Sequence, residues 1–137
     1  MATASDGPIS VLHVDDDESF LALTAASVGT LDRDIAIYGE TDPTAALDRL
    51  DAGSFDCVVT DLRMPDRDGI DLMHSIHRRV GLPVIMFTGS ATEAVEERAQ
   101  EAGAKAVLQK RLGSGSYGLL ARTIERVVQE SPEATVA

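Results

Sequence analysis

The chain has 137 residues, near the modal size of one domain and too short for two full cores. Its 44% hydrophobic content excludes wholesale disorder, and its 23 Asp+Glu against 12 Lys+Arg leave a net charge of −11. That charge repels nucleic-acid phosphates and anionic membrane surfaces, so direct binding to either is not expected.

Ser10–Val14 is a short apolar strand that ends in Asp15-Asp16-Asp17. From Glu18 to about Leu31, Phe20, Leu21, Thr24, Val28 and Leu31 recur at helical spacing. A strand over Ile35 and Ile37 follows. Asp42-Pro43 then opens a helix, with the carboxylate as N-cap and proline in the first turn, and Gly53 closes it. Cys57-Val58-Val59-Thr60 is a buried-type strand, followed by Asp61 and a turn-rich stretch, Met64 to Gly69. Ile70, Leu72, Met73, Ile76 and Val80 line one side of the next helix. Val84–Phe87 is a strand, Thr92 to Ala102 a helix closed by Gly103, and Ala106–Gln109 a strand. The last helix is expected from Leu119 to Gln129, after a flexible loop over Gly113–Gly118.

Five apolar strands alternating with five helices predict a parallel sheet covered on both sides, a single (βα)5 domain over residues 10–130. Residues 1–9 and 131–137 are expected to be tails, the latter a C-terminal tail or the start of a linker; an output domain is not expected in so short a remainder. No run approaches the roughly 18 apolar residues of a membrane span. With no export signal and a single cysteine, Cys57, the expected location is cytoplasmic.

In an open α/β sheet, ligands bind beyond the carboxyl ends of the strands. Those ends deliver Asp15 and Asp16 from the first strand, Asp61 from the third, Thr88 from the fourth and Lys110 from the fifth. Two carboxylates about 4 Å apart repel by roughly 4 kcal/mol at an effective dielectric near 20. One ammonium leaves three carboxylates about −2 in charge, and a hard divalent cation such as Mg2+ offsets the remainder. Asp61 then reads as a nucleophile kept ionised, with the metal and Lys110 facing the oxygens of an incoming phosphoryl group and Thr88 donating a hydrogen bond to one of them.

VLHVDDD (Val11–Asp17), VVTDLRMPDRDG (Val58–Gly69), VIMFTGSA (Val84–Ala91) and LQK (Leu108–Lys110) resemble the receiver domain of two-component response regulators. The resemblance covers about residues 10–130. It implies a flavodoxin-like sheet of order 2-1-3-4-5, a three-layer sandwich, and Asp61 as the acceptor of a phosphoryl group from a histidine kinase or phosphotransfer domain. It further implies Mg2+ held by Asp15, Asp16, the Asp61 carboxylate and the Arg63 backbone carbonyl, with Thr88 and Lys110 sensing the phosphoryl group. It implies a signalling domain that catalyses only its own phosphorylation and dephosphorylation, with homodimerisation as a further mode of association. Arg63 and Ser90 flank the expected path of an attacking water, and Gly89 leaves room for a donor.

Two positions depart from the family pattern. Arg111 stands where proline usually follows the lysine, and Val107 replaces the usual aromatic switch residue three before it. The opening VLHVDDD and the ending LQK with its glycine-rich loop also resemble receivers of halophilic archaea. A surface rich in acids with only two lysines, Lys105 and Lys110, fits concentrated salt.

Weaker readings sit beside these. Asp17, Asp66 and Asp68 read as caps or solvated loop residues, His13 as a neutral, hydrogen-bonded core residue, His74 and His77 as exposed, and Cys57 as a small buried hydrophobe. Gly113–Gly118 spells a G-x-G-x-x-G, but no strand follows its helix, so a dinucleotide site is rejected. A phosphohydrolase of the haloacid dehalogenase type also uses an Asp nucleophile, and Asp15-x-Asp17 superficially matches it. Its further acidic ligands are missing after Lys110, where Glu125, Glu130 and Glu133 fall in the helix or tail. A pseudo-receiver that works without phosphorylation is the remaining alternative, and the complete set of three Asp, Thr and Lys argues against it.

Overall fold

In the computed structural model, residues 7–65, 67–111 and 115–130 are described. The chain alternates β1 (Ile9–Val14), α1 (Glu18–Gly29), β2 (Ile35–Glu40), α2 (Pro43–Ala52), β3 (Cys57–Thr60), α3 (Gly69–Arg79), β4 (Val84–Thr88), α4 (Glu93–Glu101), β5 (Ala106–Gln109) and α5 (Gly115–Gln129). The strands form one parallel sheet of order β2-β1-β3-β4-β5. This is the flavodoxin-like three-layer arrangement that the alternation of elements implies.

The helix starts follow from local chemistry. The carboxylates of Asp17, Asp42 and Asp68 and the hydroxyl of Thr92 each accept a hydrogen bond from a first-turn backbone N–H, of Phe20, Thr44, Asp71 and Val95 respectively. Each cap satisfies a donor that the helix leaves without a partner. Asp17 and Asp68 are thus caps, as expected, whereas Asp66 lies outside the described residues.

Each face of the sheet buries its own layer. Leu12, Val14, Val58, Val84 and Met86 pack against Leu47 and Leu50 of α2, Leu72, Met73 and Ile76 of α3, and Val95 and Ala99 of α4. Val11, Val59, Ile85 and Phe87 pack on the other side against Val28 of α1 and Tyr117, Leu120, Ile124 and Val127 of α5. Alternate residues along one strand therefore serve opposite layers, as a strand's period of two requires. Full burial holds for β3 and β4. The edge strand β2 leaves Tyr38 and Gly39 exposed, because it has a neighbour on one side only.

Three expectations need correction. Helix α5 spans Gly115–Gln129, so residues 115–118 are helical rather than loop; Tyr117 is buried in the α1–α5 layer, and that burial outweighs the poor helix propensity of its glycine neighbours. Leu112 to Ser114 lie outside the described residues. His77 is half-buried, not exposed, because its ring lies over Gly103, where a Cβ would come within 2.7 Å of the His77 Cε1. Gly103 itself has φ +106, a conformation that side chains of L-residues resist. His13 is buried, but neither ring nitrogen has a hydrogen-bond partner. Its ring packs with Phe20 and Phe87 in a triangle of aromatic rings, with centroids 5.9, 6.3 and 5.6 Å apart. Burial, with the nearby Lys110 charge, lowers its pKa to about 3, so it is neutral.

Candidate functional site

The register of the sheet fixes where the polar strand ends meet. Val14 pairs with Thr60, so Asp15 and Asp61 leave adjacent strands at the same level. The Asp61 N–H donates to the Val14 carbonyl at 3.1 Å and seals that junction. Thr60 pairs with Met86, which sets Thr88 just beyond Asp61 on the next strand. Thr88 pairs with Gln109, and the Lys110 N–H donates to the Thr88 carbonyl at 2.8 Å.

The side chains converge accordingly. Lys110 Nζ donates to Asp15 Oδ2 at 2.7 Å and to Asp61 Oδ2 at 3.1 Å. The other oxygen of each carboxylate is held by backbone: Asp15 Oδ1 accepts from the Asp17 N–H at 2.9 Å, and Asp61 Oδ1 from the Leu62 N–H at 2.8 Å. Asp15, Asp16 and Asp61 each bring a carboxylate oxygen within 4.8 Å of the others. Asp15 and Asp61 are buried and Asp16 is exposed, so the cluster opens to solvent on the Asp16 side. Three clustered carboxylates are an all-oxygen donor set with an accessible side, which fits a hard divalent cation that retains water.

Electrostatics agree with that reading. Burial, aided by the Asp61 charge, pushes the Asp15 carboxyl up against the opposing pull of its bonds to Lys110 and the Asp17 N–H. Burial pushes Lys110 down, but its bond to Asp15 and the two carboxylate charges outweigh it, and its pKa rises overall. Lys110 therefore stays an ammonium. Lys110 Nζ also lies 4.4 Å from the centroid of the Phe20 ring. Periodicity marks Phe20 as an apolar helix residue, and nothing in the sequence signals this cation–π contact.

Thr88 is buried, and its Oγ1 accepts from the Ser90 N–H at 3.2 Å. Gly89 is exposed with open space where a Cβ would stand. Arg63 is exposed in the β3–α3 loop, two residues past Asp61. That loop is closed by the Gly69 N–H donating to the Leu62 carbonyl at 2.7 Å, and a Cβ at Gly69 would lie 2.2 Å from the Asp61 carbonyl oxygen. Asp17 turns away to cap α1, so the Asp15-x-Asp17 spacing does not form a two-carboxylate pair in the site. Cys57 is buried in the sheet with its pKa pushed up to about 12 by burial, an inert thiol.

Residues 11–117 match the response regulator receiver domain family. The chain belongs to that family. It is 34% identical over 114 residues to protein-glutamate methylesterase/protein-glutamine glutaminase 5 of Anaeromyxobacter dehalogenans (strain 2CP-C), a match covering 80% of this chain and 31% of that protein. The receiver thus spans about a third of the length of this curated relative. The response regulator domain of Thermotoga maritima CheB superposes with a TM-score of 0.81 at 23% identity, covering 91% of this chain and 99% of that one. The beryllofluoride-activated NtrC4 receiver domain dimer gives 0.77 at 25% identity, over 89% and 98% of the two chains. Membership of that family does not favour the phosphohydrolase alternative.

Proposed function

We propose that this receiver takes a phosphoryl group onto Asp61 from the phosphohistidine of a histidine kinase or phosphotransfer domain. The observation that carries the proposal is the convergence of Asp15, Asp16, Asp61 and Lys110 in one pocket, open on one side. In the transfer, an Asp61 carboxylate oxygen bonds to phosphorus, the phosphorus–nitrogen bond of the donor breaks, and its electron pair returns to the imidazole. Asp61 is oriented for this attack by the Leu62 N–H and Lys110 Nζ on its two oxygens. The Thr88 hydroxyl donates a hydrogen bond to a phosphoryl oxygen, and Lys110 compensates the added charge.

Asp15, Asp16, the Asp61 carboxylate and the Arg63 backbone carbonyl would hold Mg2+. When bound, that ion offsets negative charge on the phosphoryl oxygens. The acyl phosphate then shifts a conformational equilibrium, which is the signalling output of the domain. Arg63 and Ser90 flank the expected path of an attacking water and set how readily it reaches the acyl phosphate. Residues 10–130 form the functional unit, in a cytoplasmic setting, and the acidic, lysine-poor surface suits the salt of a halophilic archaeal cell. Pairing with a second copy is a further mode of association, and the NtrC4 neighbour is itself a dimer.

Incubation with acetyl phosphate and Mg2+ tests the assignment by intact mass. A gain of one phosphoryl group in the parent chain and none in Asp61→Asn is expected. No gain in either, with folding intact, selects the pseudo-receiver. Turnover of a generic phosphate ester that survives Asp61→Asn and dies with Asp15→Asn selects the phosphohydrolase.

A further inference from the structure

The loop between β4 and α4 borders the pocket, yet the sheet does not hold it. Its last ladder bond on this side is from the Lys110 N–H to the Thr88 carbonyl. Past that point, residues Gly89 to Ala91 hang on two side chains. Gln109, the last residue of β5, turns its amide onto the loop. Its Oε1 accepts from the Ala91 N–H at 3.1 Å, and its Nε2 donates to the Gly89 carbonyl at 2.8 Å. The same Nε2 lies 3.4 Å from the Lys110 carbonyl. Between the two anchored residues, the Ser90 N–H donates to Thr88 Oγ1. The Ser90 carbonyl then accepts from the N–H of Thr92, which caps α4.

A carboxamide offers an uncharged acceptor oxygen and a donor nitrogen as two separate atoms, and at this position those two ends bracket Ser90. Val107, three residues before Lys110, packs into the aliphatic layer beneath α4 and presents no polar group to the loop. From β5, the side chain that reaches the loop is that of Gln109.

We infer that Gln109 is a positioning residue that latches the β4–α4 loop to the strand carrying Lys110, so that a displacement at Thr88 is passed to the start of α4. The inference rests on the phosphoacceptor reading. Thr88 Oγ1 accepts from Ser90 while its own proton remains available for a phosphoryl oxygen. If the hydroxyl is drawn toward Asp61, the Ser90 N–H follows its acceptor, and the two Gln109 bonds on either side set how far the loop moves with it.

The test uses the full chain and NMR. Amide exchange at Ser90 and Ala91 is measured first without a phosphodonor, in the parent and in Gln109→Leu. Chemical-shift changes at Thr92, Glu93 and Val95 are then followed on phosphorylation with acetyl phosphate and Mg2+, compared at equal occupancy of Asp61. Gln109→Leu is expected to fold, to exchange the Ala91 amide about tenfold faster, as loss of one hydrogen bond gives, and to show smaller α4 responses. Gln109→Glu keeps the acceptor for Ala91 and loses the donor to Gly89, so its Ala91 exchange falls between the two. A role confined to stability would not change the α4 response at matched occupancy.

Unchanged Ala91 exchange in a folded Gln109→Leu overturns the latch, and an α4 response of parental size overturns the coupling. Should Gln109→Leu not fold, Gln109→Asn gives the same readings, since it keeps the amide but is a methylene too short to reach. If the parent chain takes no phosphoryl group while Ala91 still exchanges faster in Gln109→Leu, the phosphoacceptor reading falls and the latch stands.

Discussion

Val14 and Asp15 are neighbours at the end of β1, and both are shut away from water, with exposures of 0% and 1%. Burial stabilises the first and penalises the second. Val14 joins Leu12, Val58 and Met86 in a layer where every apolar area removed from water favours folding. Asp15 loses hydration, a cost that its bonds to Lys110 and the Asp17 N–H oppose. The carboxyl edge of the sheet is therefore held in place by the layers beneath it rather than by its own contacts. The comparison makes a clear demand: damage to a layer should lower stability and spare the chemistry, and damage to the edge should do the reverse unless it strands a charge.

The largest effect is expected in the layer. Leu72 on α3 is fully buried among Leu47, Met73 and Ile76. Leu72→Ala should cost about 3 kcal/mol, from lost transfer energy and the cavity left behind. Urea unfolding monitored by circular dichroism measures it. Phosphorylation of Asp61 under conditions where the variant is still folded should match the parent.

A smaller loss is expected at the edge, of a different kind. Lys110→Met keeps most of the aliphatic stem but leaves Asp15 and Asp61 facing each other without a cation. Removing one partner of an enclosed ion pair is destabilising, and the partial exposure of Lys110 moderates it, so about 2 kcal/mol is expected without metal. Mg2+ should return part of this, and its stabilising effect on unfolding should be larger in Lys110→Met than in the parent. Equal Mg2+ effects in the two proteins would mean that Lys110 and the cation do not share the same carboxylates.

The contrast between layer and edge also marks what could be read in the chain. Strands β3 and β5 stand where their apolar runs end, and Asp17 and Asp42 cap the helices that follow them, because those signals are local. The meeting of Asp15, Asp61 and Lys110 is legible because a parallel sheet sends every strand end to one side. The start of α5 was not, since Gly115 and Gly118 speak against a helix locally and only the enclosure of Tyr117 decides it. His13 shows the same limit: its place in an apolar strand reveals burial, not that Phe20 and Phe87 leave its nitrogens without partners. The contacts of Phe20 with Lys110 and of Gln109 with the β4–α4 loop depend on side-chain direction across separate elements, which no spacing encodes.

The smallest effect belongs to the surface, where neither layer nor pocket is involved. Exposed pairs such as Arg126–Glu130, with side chains 53% and 63% exposed, contribute little. What remains is the mutual repulsion of an acid excess, net −11, spread over the chain. Raising KCl to molar levels shortens the screening length to about 3 Å and removes most of that repulsion between surface groups. Stability should rise by about 1 kcal/mol or more between low and molar KCl, read as an upward shift in the thermal midpoint by circular dichroism. The gain should be the same in Leu72→Ala, whose defect is apolar, and different in Lys110→Met, whose defect is charge. A midpoint that does not move with KCl would remove the salt-adaptation reading of the composition while leaving the pocket at the strand ends untouched.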